Sequence, residues 1–164
     1  LWYPHWRLME AGFKPILVDT GRLSSYMGEN GNLEVVADKP AEAVKAAQFA
    51  GLIIPGGFGP DYLRRSEAVI KLVKDMDQAG KPIGVICHGG WVMVTADLLR
   101  GGRQITGFKT LKIDLTNAGG KWVDKEVVVD KNIISCRQPE DLPAFMPVFI
   151  ERLNAGEAAS ARKK

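Results

Sequence analysis

Histidine and cysteine are scarce in this 164-residue chain, which has two of each: His5, His88, Cys87 and Cys136. Two cysteines cannot form a disulfide framework, and a reducing, cytoplasmic setting is the expectation. Two histidines argue against a multi-histidine metal site, and no metal or other cofactor is expected. Any histidine-assisted chemistry must use one of the pair. No apolar run reaches transmembrane length and no signal-peptide pattern is present, so no membrane partner is expected. An excess of either charge is lacking too. The 22 basic and 19 acidic residues leave a formal +3, too little to argue for a nucleic-acid partner. Part of that excess is the terminal Arg162-Lys163-Lys164, which follows a run of small residues from Ala155 to Ala161. The expectation is one domain over residues 1–154 and a frayed or disordered tail over 155–164.

What is present is an ordinary globular composition, 46% hydrophobic and 25% charged, in a chain long enough to bury a core. Helical and strand periods alternate along it. The pattern predicts helices over Trp2 to Gly12, Pro40 to Ala47, Ser66 to Gly80 with Ser66 as N-cap, Gly89 to Leu99, Leu111 to Ala118 and Leu142 to Leu153. Strands are predicted over Phe13 to Asp19, Leu33 to Val36, Gly51 to Pro55, Lys81 to Ile86, Gln104 to Phe108, Lys121 to Val129 and Asn132 to Cys136. Fully apolar strands alternating with helices mean an α/β fold whose mostly parallel sheet is covered on both faces. Ligands of such sheets bind outside the carboxyl ends of the strands.

One segment stands out, Pro82-Ile83-Gly84-Val85-Ile86-Cys87-His88-Gly89-Gly90-Trp91. A buried strand ends on a cysteine, and a helix begins at once. That turn pushes the sulfur out of the sheet and sets it at a helix N-terminus, where backbone N–H groups and the helix dipole favour a thiolate. Cys87 is therefore the candidate nucleophile. A buried, inert cysteine is the bland alternative, but packing alone has no need of a glycine-flanked turn. His88 is the candidate general acid and base, since imidazole titrates near neutrality; its lesser role would be to supply only a backbone N–H. Gly56-Gly57 ends another apolar strand, so both turns can face one crevice although thirty positions apart. The N–H groups of Gly57 and His88 are the candidate oxyanion hole. Asp61, in Gly59-Pro60-Asp61-Tyr62-Leu63-Arg64, is either a first-turn helix acid or a carboxylate that orients His88, in its own subunit or a neighbour's. Cys136 reads as a core cysteine. His5 reads as packing beside Trp2, Tyr3 and Trp6, which read as core or dimer contacts.

Together, Ile54-Pro55-Gly56-Gly57, Gly59 to Arg64, Gly80-Lys81-Pro82, Ile86-Cys87-His88-Gly89, Asn117 to Asp124, Glu126 to Asp130 and Asp141-Leu142-Pro143-Ala144-Phe145 resemble the PfpI (intracellular protease I) family of the ThiJ/PfpI superfamily. The resemblance covers nearly the whole chain. It implies a flavodoxin-like three-layer sandwich related to class I glutamine amidotransferase domains. It also implies catalytic positions at Cys87, His88 and Asp61, the acid often acting across a subunit interface, and an oxyanion position at Gly57. Members are described as cysteine peptidases, deglycases, cofactor-free glyoxalases and stress chaperones. A homodimer, with a hexamer built from dimers also compatible, is implied as well.

The chain departs from that pattern in three places. It starts after the family's first strand and the acidic turn that follows it, which would leave two strands with an unpaired edge. Gly90 stands where proline is usual, and Ile113 where an aspartate is common, with Asp114 retained. The expectation is a cysteine hydrolase acting on small carbonyl, peptide or glycated-protein substrates. The rival is a redox-sensing or chaperone module built on an oxidisable Cys87.

Overall fold

The computed structural model describes residues 1–22, 25–28, 31 and 33–161. Its centre is a four-stranded sheet in the order β5-β6-β10-β9, formed by β5 (Leu52–Ile54), β6 (Ile83–Ile86), β10 (Ile133–Cys136) and β9 (Val127–Asp130). The first three strands run parallel, with Ile54 opposite Val85 and Cys136 opposite Ile86. β9 is antiparallel to β10 and joined to it by a tight turn at Lys131-Asn132, where Lys131 takes φ +55°. Three two-stranded ribbons accompany the sheet. They pair β1 (Val18–Asp19) with β4 (Lys39–Pro40), β2 (Tyr26–Met27) with β3 (Glu34–Val35), and β7 (Gln104–Ile105) with β8 (Lys121–Trp122). Among the described residues β5 pairs with β6 alone and β1 with β4 alone, so each has one unpaired edge.

Both faces of the sheet are covered because its strands carry apolar side chains in both directions. Ile83 and Val85 of β6 face one core, packed by Leu72, Val73 and Met76 of α3 (Glu67–Gln78) and by Val92 and Met93 of α4 (Gly90–Thr95). Leu115 of α5 (Lys112–Asn117) completes that layer. Ile86, Ile134 and Cys136 face the other core, filled by Phe145, Met146 and Phe149 of α6 (Leu142–Ala161), with Leu8 of α1 (Trp2–Glu10) against it. This alternation is the period-2 pleat of a strand buried on both sides. Gly84 is part of it: a Cβ there would lie 2.8 Å from the Phe145 ring, so the glycine lets α6 sit close on the sheet. The result is the expected three-layer α/β sandwich.

Local signals succeed where they are strong. Ser66 caps α3 by accepting the Val69 N–H at 3.4 Å. Elsewhere the structure corrects the pattern. The strand expected over Phe13 to Asp19 shrinks to Val18–Asp19, and the one over Lys121 to Val129 divides into β8 and β9. The helix expected over Pro40 to Ala47 is two 3-10 turns, Ala41–Ala43 and Ala46–Gln48, separated by extended Val44 and Lys45. The last helix, expected to end at Leu153, runs on to Ala161. Alanine-rich sequence has the highest helix propensity, which accounts for the extension. Residues 162–164 lie outside the described residues. Among the described residues no helix is long and apolar enough to cross a membrane.

Candidate active site

Cys87 follows β6 directly and opens a 3-10 turn, Cys87–Gly89, that runs into α4. Its φ is +55°. A non-glycine residue in the left-handed region is strained, and such strain collects where a side chain must be aimed out of the regular fold. The turn needs glycines around it. A Cβ on Gly89 would sit 2.9 Å from the Ile54 carbonyl oxygen, and one on Gly107 would sit 3.1 Å from the Cys87 carbonyl oxygen. Gly56, at the carboxyl end of β5, lies closest: its Cβ would fall 2.6 Å from the Cys87 Cβ. The carboxyl ends of β5 and β6 thus lie side by side, with Gly56 against the cysteine. Gly57 itself takes φ +74°.

The Cys87 thiol is half-buried, and its Sγ lies 3.3 Å from Nδ1 of His88. A sulfur and an imidazole nitrogen at this distance can exchange a proton, which converts a weak nucleophile into a thiolate. The imidazole is held between two rings. Phe108 stacks on it with centroids 5.1 Å apart, and Trp91 tilts against it at 4.9 Å. Phe58 meets Trp91 edge-on at 6.0 Å. Phe58 and Tyr62 are exposed, and Ile113 is exposed on α5.

Asp61 lies in α2 (Gly59–Leu63), on the segment that follows Gly56-Gly57. Its carboxylate accepts hydrogen bonds from Arg64, at 2.7 and 3.0 Å, and from Arg65. Those hydrogen bonds hold its pKa below the ordinary aspartate value. Within the single chain Asp61 is thus turned to two guanidinium groups, and no hydrogen bond joins it to His88 among the described residues. Arg64 in turn lies over the Trp91 ring, 5.4 Å from its centroid.

The DJ-1/PfpI family model matches residues 1–152. The chain belongs to the DJ-1/PfpI family. It is 39% identical over 147 residues to protein/nucleic acid deglycase 2 of Escherichia coli (strain K12), covering 89% of this chain and 85% of that one. It is 40% identical over 151 residues to a deglycase of Pyrococcus abyssi, covering 92% and 89%. Among solved structures, a two-domain protein from Anabaena variabilis with DJ-1/ThiJ/PfpI-like and ferritin-like domains superposes with a TM-score of 0.89 at 36% identity. That match covers 94% of this chain and 44% of the two-domain chain, so the likeness concerns one part of that protein.

Cys136, the second thiol of this family member, is fully buried beneath the elbow. Burial pushes its pKa up to about 12, helped by the Asp141 carboxylate and by Cys87; the Cys87 backbone N–H, hydrogen-bonded to it, pulls the other way. That contact ties the β10 end to the strained turn. It also separates the two thiols chemically. In native protein a neutral thiol reagent is expected to label Cys87 and spare Cys136 at every pH up to about 9, both reacting after unfolding; mass spectrometry of digests reads this. A thiol with a folded pKa above its ordinary 9.0 adds stability that is complete below pH 9 and lost as pH rises towards about 12. The Cys136→Ala protein should lack that part of the alkaline decline in a denaturation series.

One residue of this site escaped sequence reasoning. Trp91 follows His88 by three positions, the spacing that puts side chains on one helix face, but the pattern alone assigns it no role. Asp114 accepts the Trp91 indole N–H at 3.0 Å from a different helix, and no sequence spacing announces that contact.

Proposed function

We propose that this chain is a cysteine hydrolase of the deglycase type, acting on carbonyl adducts of amines. The observation that carries the reading is the 3.3 Å Cys87 Sγ–His88 Nδ1 contact on a left-handed elbow beside Gly56-Gly57. Deglycase-named relatives at 39 and 40% identity over most of the chain support it. The adduct's carbinol first collapses: the amine leaves as a neutral molecule carrying the hydroxyl proton, and the carbon that bore it becomes an aldehyde. His88 takes the thiol proton, and the Cys87 thiolate attacks that aldehyde carbon. A sulfur–carbon bond forms as the carbonyl pair moves onto oxygen, where the Gly57 and His88 N–H groups are assigned to receive it. His88 returns its proton to that oxygen, giving a hemithioacetal. A hydrogen shift between the two former adduct carbons converts the hemithioacetal to a thioester. Water hydrolyses this to a hydroxy acid and the free thiol. A peptide bond would instead give the thioester directly, with loss of its amine.

With Phe108 and Trp91 packed on His88 and Phe58 against Trp91, small adducts are the substrates this reading favours over an extended polypeptide. Asp61 is assigned to orient His88 from the neighbouring subunit of a homodimer, consistent with its place beside the site but not on His88 within the chain. A cytoplasmic setting and a part in the response to carbonyl stress belong to the same reading.

The test is direct. Purified protein incubated with methylglyoxal-treated N-acetyl-lysine is expected to release lactate and free amine in equal amounts, and prior alkylation of Cys87 should stop both. No release, together with selective conversion of Cys87 to sulfenic or sulfinic acid by mild peroxide, would favour the redox-sensing reading instead.

A further inference from the structure

His88 needs a reason to hold its Nδ1 on the cysteine sulfur. Its side chain is joined to the backbone through two rotatable bonds, and no hydrogen bond other than the one to Cys87 fixes the ring among the described residues. What fixes it is the slot between Trp91 and Phe108. Phe108 stands on the loop after β7, anchored by donating its N–H to the Cys87 carbonyl at 3.4 Å. Trp91 is held at three points: Asp114 Oδ2 accepts its indole N–H, Arg64 covers its ring, and Phe58 meets its edge.

From this arrangement we infer that Trp91 and Asp114 form a positioning pair for His88, acting through the Trp91–Asp114 hydrogen bond to keep the imidazole on the Cys87 sulfur. The inference rests on the proposed acid–base role of His88. Neither residue touches the sulfur among the described contacts. Trp91 acts by walling one side of the imidazole, and Asp114 by fixing the rotation of the indole. Asp61 enters the same construction, because the Arg64 it holds lies over the indole ring. The acidic residue of α5 is thereby explained by what it orients rather than by any contact with substrate.

The experiment compares Trp91→Leu, Trp91→Phe, Asp114→Ala, Asp114→Asn and His88→Ala. For each, the pH dependence of Cys87 alkylation by iodoacetamide and the kcat and KM of lactate release are measured. Circular dichroism confirms folding, and Trp91→Phe keeps a ring in place should Trp91→Leu fail to fold. Trp91→Leu is expected to raise the midpoint of the alkylation profile by about one pH unit and to lower kcat by about tenfold or more, with KM little changed. Asp114→Ala should lower kcat by roughly three- to tenfold, and Trp91→Phe should match it, because each removes the same hydrogen bond. The double variant should then be no worse than either single one. Asp114→Asn still offers an oxygen to the indole and should recover most of what Asp114→Ala loses. Unchanged midpoint and kcat in Trp91→Leu and Asp114→Ala, alongside a clear loss in His88→Ala, would overturn the positioning pair and leave the proposed function standing. An Asn variant as impaired as the Ala variant would also overturn it, showing that the carboxylate acts through its charge. A His88→Ala protein with an unaltered profile and rate would remove the acid–base role itself.

Discussion

Cys87→Ala protein is expected to fold normally and to release lactate from methylglyoxal adducts at less than about one-thousandth of the parent rate. The size follows from removing a covalent nucleophile, since binding and an oxyanion pocket alone leave only residual catalysis. Folding should survive because the substitution removes only a half-buried sulfur. Alanine at φ +55° is no worse placed than cysteine. The midpoint of thermal unfolding should stay within about 3 °C, the range of a change near 1 kcal/mol in a chain of this size. Cys87→Ser should be equally inactive, since its hydroxyl stays protonated where a thiol ionises. More than a tenth of the parent rate in purified Cys87→Ala would exclude the sulfur as nucleophile. Loss of rate accompanied by loss of secondary structure would instead mark the elbow as a structural staple.

What is legible in the sequence depends on whether the cause is local. The β6 run Ile83-Gly84-Val85-Ile86, fully apolar and punctuated by a glycine, announced a strand buried on both faces, and it is one. The elbow at Cys87 was legible because the cysteine, its histidine neighbour and the flanking glycines are consecutive. The Ser66 cap was legible for the same reason. The helix expected after Pro40 failed for a non-local reason. The Lys81 ammonium donates to the Ala46 and Phe49 carbonyls from 35 and 32 positions away. Carbonyls engaged in this way are satisfied without continuing a helix. The contact of Trp91 with Asp114 spans 23 positions and two helices, so nothing local to the tryptophan announces it. Asp61 shows a subtler limit. Its place at the mouth of α2 was readable, but its commitment to Arg64 and Arg65 is settled by side-chain geometry that the sequence leaves open.

Gly56→Val should be the most damaging single change outside the cysteine itself. A Cβ at this position would stand 2.6 Å from the Cys87 Cβ and 3.0 Å from the Ile86 carbonyl oxygen. A long side chain could swing aside, but a backbone oxygen within the β6 ladder and the first carbon of a residue on a left-handed turn cannot. The overlap is therefore relieved by moving strand ends apart, at a cost of about 2–3 kcal/mol from overpacking. That corresponds to roughly 5–10 °C in the unfolding midpoint. Activity should fall by more than about 100-fold, because separating β5 from β6 carries Gly57 away from the sulfur by a distance that approach geometry does not tolerate. Gly59→Ala is the matched control: it lies three positions on, with nothing within 4 Å of a Cβ, and should leave stability within about 0.5 kcal/mol of the parent. The discriminating measurement is the rate of Cys87 alkylation in folded Gly56→Val protein well below its unfolding midpoint. A sulfur displaced from His88 will react at an altered rate with a shifted pH profile. If that profile and the turnover rate are both retained, the close approach of the two strand ends is dispensable, and the oxyanion assignment to Gly57 falls with it.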